Sequence, residues 1–84
     1  MMSEQELSPS KIRYLVTLSQ LDPEGRGVRS ISLARKLNVS RPSVHAMIEK
    51  LEDMGYVRKE YYGIIYLTEE GLAAGKRYSS ENNL

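Results

Sequence analysis

Apolar residues recur along this chain with a helical period in four places and alternate with polar ones near the C-terminal third. The sharpest helical stretch is 39–57, V-S-R-P-S-V-H-A-M-I-E-K-L-E-D-M-G-Y-V. Val44, Met47, Ile48, Leu51 and Met54 are spaced i, i+3, i+4, i+7, i+10 and so line one face, which must pack on something. Ser40 supplies an N-cap oxygen, and Pro42 stands just inside the start, where it loses no intrahelical bond. Gly55 follows the last periodic residue and closes the helix in a left-handed conformation. The opposite face is divided. Its first half carries Arg41, Pro42, Ser43, His45 and Ala46, with Lys50 on the flank, and its second half carries Glu49, Glu52 and Asp53. Phosphates would repel the second half and tolerate the first, the division expected of a helix that dips only its N-terminal end into a DNA groove. Taken alone, the helix fits a core helix with a solvated charged face equally well.

The rest of the chain surrounds it in order. Residues 1–7 read as a frayed polar arm. Ser8-Pro9 starts a first helix over 9–21, with Ile12, Leu15 and Val16 in its apolar stripe beside Tyr14, Leu18 and Leu21. Asp22-Pro23-Glu24-Gly25-Arg26-Gly27 is a breaker cluster and predicts a loop, and Val28-Arg29 a very short strand. Ser30 is expected to N-cap a second helix that turns Leu33, Ala34 and Leu37 inward and Arg35 and Lys36 outward. Asn38 is its expected left-handed terminator. Only Asn38-Val39 then separates it from the Ser40 helix, the tight connection of a helix-turn-helix.

After Gly55 the period changes to two. The pattern predicts strands over 56–61 and 64–67 with Tyr62-Gly63 at a hairpin between them. Tyr56, with at least one of Tyr61 and Tyr66, is expected to pack on the core. Thr68 caps a last helix that opens with Glu69-Glu70 at its positive end. Leu72 and Ala73, with Tyr78, form its expected apolar side, Lys76-Arg77 fit its negative end, and 79–84 is a polar tail. The predicted fold is mainly α with a small β-hairpin, a winged helix-turn-helix, organised as one domain over 1–84.

Composition narrows the partners without naming one. The 84 residues carry 12 basic and 11 acidic groups, for a net charge of +1. A basic surface must therefore come from uneven placement. The absence of Cys excludes disulfides and thiolate zinc sites and suits the cytoplasm. No apolar run approaches a membrane span, and the acidic start M-M-S-E-Q-E is unlike a signal peptide. A single His without Cys is a poor metal site and cannot assemble a nucleophile, base and orienter. Gly25-Arg26-Gly27 lacks the Lys and the preceding strand of a phosphate loop. An enzyme, and a small-molecule substrate, are not expected.

With these residues laid out, the chain resembles the N-terminal DNA-binding domain of the iron- and manganese-dependent, diphtheria-toxin-repressor-like regulators. The carriers are I-S-L-A-R-K-L-N-V-S-R-P-S-V, then M-I-E-K-L-E-D-M-G-Y-V, then Y-Y-G-I-I-Y-L-T-E-E-G, together spanning much of 8–78. Parts of the run also suit multiple-antibiotic-resistance-type regulators. The resemblance implies a repressor that binds double-stranded DNA as a homodimer, with helix 41–54 in the major groove and a wing over 57–67. It implies groove-facing places for Ser40, Pro42, Ser43 and Ala46, a phosphate-facing one for Lys50, and backbone contacts for Ser30 and Ser32. Arg58, Lys59 and the Tyr61-Tyr62 pair are the wing residues expected at phosphates or the minor groove, with Tyr62 the expected contact of the pair. Two departures stand out. Where the family often carries a long polar side chain, Ala46 offers only a methyl, which leaves direct readout to Arg41, Ser43 and His45, or to DNA shape. Family members are switched by Fe2+ or Mn2+, yet the expected first-helix ligand position falls on Ser10, and the stretch where the family has a ligand His reads Ser80-Glu81-Asn82-Asn83. The family's dimerisation helices would begin where this sequence ends. Near-neutral charge and Ala46 keep a second reading open, a winged helix used for protein–protein contact; double-stranded RNA binding is a third.

Overall fold

A computed structural model describes residues 7–82, with side chains to residue 80. The order is α1 (Pro9–Leu21), β1 (Val28–Arg29), α2 (Ser30–Leu37), α3 (Arg41–Asp53), β2 (Val57–Glu60), a single turn of 3-10 helix (Tyr61–Gly63), β3 (Ile64–Leu67) and α4 (Glu69–Asn82). The strands form an antiparallel sheet in the order β1-β3-β2, with Val28 opposite Ile65 and Lys59 opposite Ile65 on the other side. The two-residue β1 thus anchors the hairpin to the start of α2.

One apolar cluster holds these elements together. Leu15, Leu18, Leu33, Val44, Ile48, Leu51 and Ile65 are its fully buried members, drawn from α1, α2, α3 and β3. Each comes from the apolar stripe of its helix or the inward face of its strand, so the cluster is the meeting point of the 3.6 and 2.0 periods. Burial pushes the Tyr14 phenol above its ordinary range, while the neighbouring Arg13 charge pulls it the other way. Arg13 also donates to the Leu37 carbonyl at 3.3 Å, which satisfies an end of α2 from α1.

The helix-turn-helix is closed by local chemistry. Asn38 is left-handed, at φ 59° and ψ 48°. Ser40 Oγ accepts the Ser43 N–H at 3.1 Å and donates to Ser43 Oγ at 2.9 Å. Replacing Ser40 with alanine is expected to cost about 1 kcal/mol of stability, visible as a lower urea midpoint with an unchanged slope. An unaltered midpoint would mean that the cap contributes nothing here.

Several expectations are corrected. Ser30 is not the N-cap of α2; Arg29 holds that place without a side-chain bond, and Ser30 is the first helical residue. Leu7 is buried in the core cluster and so is not part of a frayed arm; residues 1–6 lie outside the described residues. The first hairpin strand is shorter than predicted, because Tyr56 is spent in the turn after α3 and Tyr61 in the wing turn. Tyr61 is 85% exposed and does not pack on the core, whereas Tyr56 does. Ala73 is exposed, and the inward side of α4 carries Ala74 and the buried Gly71 and Gly75. Residues 79–82 continue α4 rather than forming a tail. Asp22, expected as an ordinary loop carboxylate, is buried and accepts the N–H groups of Arg26 and Gly27 at 2.7 Å each. It closes the loop in front of β1.

Candidate nucleic-acid interface

Helix α3 turns by about 100° per residue, so its core residues Val44, Ile48 and Leu51 fix where everything else points. Pro42, Ala46, Glu49 and Asp53 point away from the core. Arg41, His45 and Glu52 lie on the flank that faces β2, and Ser43 and Lys50 on the other. The outward face is thus free of carboxylates only in its first half. The positive end of the helix dipole adds to that half.

The wing stands against the β2-side flank. Between them runs a cleft of about 630 Å³, bordered by Ser30, His45, Lys59, Tyr61 and Tyr62 above the buried Val44, Ile48 and Ile65. It continues into hollows where Arg29, Ser30, Ile31 and Tyr62 surround Arg41, and where Ser30, Arg41, Pro42 and His45 meet. Ser30 is therefore a floor residue joining α2, α3 and the wing. The wing tip is tight. Tyr62 takes φ 66° and Gly63 φ 71°, two successive left-handed residues. At Gly63 a Cβ would come within 2.9 Å of Ser30 Oγ, so glycine lets the wing tip close onto the start of α2. Tyr62, at 98% exposure, tops the turn. A large side chain held left-handed and wet has no packing reason to be there.

The predicted residues are only partly brought together. Ser30, Arg41, Pro42, His45, Lys59 and Tyr62 border the cleft and its extensions. Ser40, Ser43 and Ala46 are exposed around the first turns of α3, and Lys50 on its far flank. Ser32 is exposed on α2 but borders none of these hollows. Arg58 and Lys59 part company, since successive strand residues point to opposite faces. Lys59 turns toward α3, with Nζ at 3.3 and 3.4 Å from the two ring nitrogens of His45. Arg58 turns away, donates to Glu60 at 2.8 Å and lies 5.0 Å from the Tyr66 ring centre. Arg41 and Lys50 have no carboxylate partner among the described residues. Sequence reasoning missed Arg29 and Ile31 as cleft residues. The signal for Arg29 was its place directly before Ser30, at the strand-to-helix junction.

The donor set does not fit divalent iron or manganese. Ser10 is an exposed hydroxyl at the first turn of α1. His45 faces an ammonium, with the Glu49 carboxylate 3.9 Å away. Among the described residues no three of His, Cys, Asp and Glu lie together. Asn83 and the side chains of Glu81 and Asn82 lie outside the described residues. No helix among the described residues is long and apolar enough to cross a membrane.

Four helices, two of them a helix-turn-helix, and a β2–β3 wing define a winged-helix DNA-binding domain of the transcription-regulator class. The family described as iron dependent repressor, N-terminal DNA binding domain, matches residues 6–65, and the chain belongs to it. Comparison with curated proteins gave no match. Among solved structures the chain is similar to Lactococcus lactis ZitR in complex with DNA, at 17% identity and a TM-score of 0.74, over 96% of this chain and 56% of that one. It is similar to the Mycobacterium tuberculosis MarR family protein Rv2887 in complex with DNA, at 30% identity and a TM-score of 0.71, over 90% and 56%. It is also similar to the hypothetical protein SSo2273 of Sulfolobus solfataricus, at 27% identity and a TM-score of 0.73, over 84% and 54%. The chain thus spans little more than half the length of these structures. Family and fold place it among DNA-binding regulators and against the protein-contact reading.

Proposed function

We propose that this chain is the DNA-reading part of a transcriptional repressor that binds double-stranded DNA as a homodimer. The first half of α3 enters the major groove, the β2–β3 wing follows the adjoining backbone, and Tyr62 reaches the minor groove. The observation that carries this is the pairing of an exposed, carboxylate-free first half of α3 with a wing that puts Lys59 and Tyr62 beside it. One such helix covers a half-site, which is the reason for a dimer. Arg41, Ser43 and His45 contact base edges, Ala46 meets a thymine methyl, and Ser30, Ser32, Ser40, Lys50 and Lys59 serve the backbone. Pro42 sets the entry of the helix. Arg58, held by Glu60, supports the sheet and reaches phosphate only by leaving that pair. The role is one of binding in the cytoplasm, not catalysis. Among the described residues no set of donors for a metal switch lies together.

The test is a fluorescence-anisotropy titration with random-sequence duplex at several salt concentrations, followed by selection of a preferred site. A log–log slope of several units is expected. Lys50→Ala should lower that slope by about one unit while weakening all sequences alike. Binding that is absent at low salt in the chain and in an artificially dimerised version would overturn the proposal.

A further inference from the structure

The second half of α3 carries Glu49, Glu52 and Asp53, which on charge alone oppose phosphates. One of them is engaged. Strand β2 is the outer strand of the sheet, so one of its edges has no strand partner. From that edge the Lys59 N–H donates to the Glu52 carboxylate at 3.2 Å. The same residue sends Nζ back to His45, two turns earlier on α3. Lys59 is therefore attached to α3 by both its backbone and its side chain. Hairpin pairing alone holds β2 to β3 and says nothing about how far the wing stands from α3. The Glu52 bond ties that edge to α3 beside the cleft, in addition to the packing of Val57 and Ile65 on the core.

Resting on the DNA-binding reading above, we propose that Glu52 is a positioning residue. It braces the wing against α3 at the separation DNA requires, and it caps an open strand edge that would otherwise invite another chain. Removing the side-chain oxygen that accepts the Lys59 N–H therefore weakens DNA binding, even where the change makes the domain one charge more positive.

The test compares Glu52→Gln with Glu52→Ala, which carry the same net charge. Glutamine keeps an oxygen for the Lys59 N–H; alanine does not, and it is a good helix former that leaves α3 intact. E52Q should bind random duplex at least as tightly as the wild-type chain. E52A should bind about three- to tenfold more weakly than E52Q, the scale of one lost hydrogen bond. Amide exchange at Lys59, read without DNA, should quicken in E52A and stay slow in E52Q. Equal affinities for the two variants, both tighter than wild type, would overturn the proposal and leave Glu52 as a negative charge only. So would Lys59 exchange that is the same in all three. A wild-type chain that binds no DNA would instead sink the DNA reading, with Lys59 exchange still deciding whether the brace exists.

Discussion

Replacing Gly71 with alanine should destabilise this domain by about 2–3 kcal/mol, the upper part of the range for overpacking. Gly71 sits in the first turn of α4, and its N–H donates to Thr68 Oγ1 at 3.1 Å. A Cβ there would overlap the Tyr56 carbonyl oxygen and come within 3.0 Å of Leu67 Cδ2. The Tyr56 carbonyl cannot swing away freely. It accepts the Thr68 N–H at 3.1 Å, and Thr68 Oγ1 donates to the Gly55 carbonyl at 2.7 Å, so the start of α4 is latched to the turn after α3. Alanine would gain about 1 kcal/mol of helix propensity over glycine, but an overlap with main chain outweighs that. For a chain of this size the loss corresponds to a fall in Tm of roughly 10–20 °C. Thermal unfolding followed by circular dichroism would show it. A Tm equal to or above wild type would mean that helix propensity wins and that α4 is free to shift. Gly75→Ala should act in the same direction, since its Cβ would stand 2.7 Å from the Leu15 carbonyl.

The largest effect on function is expected at Arg41. Arg41→Ala should weaken DNA binding by roughly 1–3 kcal/mol, about five- to 150-fold in Kd. This guanidinium stands at the first position of α3, exposed, without a carboxylate partner among the described residues. It meets the positive end of the helix dipole rather than a neutralising acid, so it is preset for an anion or an acceptor edge. Arg29, Ser30 and Tyr62 border the same hollow. If Arg41 reads a guanine edge, the preferred site found by selection should relax at one position. If it touches phosphate, all sequences should weaken together and the salt slope should fall. Arg58→Ala provides the contrast, because that side chain is already held by Glu60 and Tyr66 and should cost much less. Equal affinities for wild type and Arg41→Ala, on random and selected duplexes alike, would remove Arg41 from the interface.

Much of the fold could be read directly because its signals are local. The limits of α1 and α3, the left-handed Asn38, the Ser40 and Thr68 caps and the closing Gly55 each depend on residues within a few positions of one another. Apolar spacing named nearly every core residue for the same reason. The split of the outward face of α3 followed from its register alone. These residues therefore determined a winged helix-turn-helix with a candidate reading helix.

What depends on through-space neighbours was not legible. Sequence placed Glu52 with the repelling acids; only the docking of β2 beside α3 made it a hydrogen-bond acceptor. Arg58 and Lys59 looked like one basic wing, and the pleat sent them to opposite faces. At Gly71 and Gly75 the close approach of α4 to the Tyr56 and Leu15 main chain leaves no room for a Cβ. Asp22 looked like a loop acid, and folding buried it against two N–H groups. Propensity, capping and period are properties of a few consecutive residues, so the chain carries them by itself. Which charge is paired, which backbone edge is open and where a Cβ has no room are set by segments far apart in sequence, and only the tertiary structure decides them.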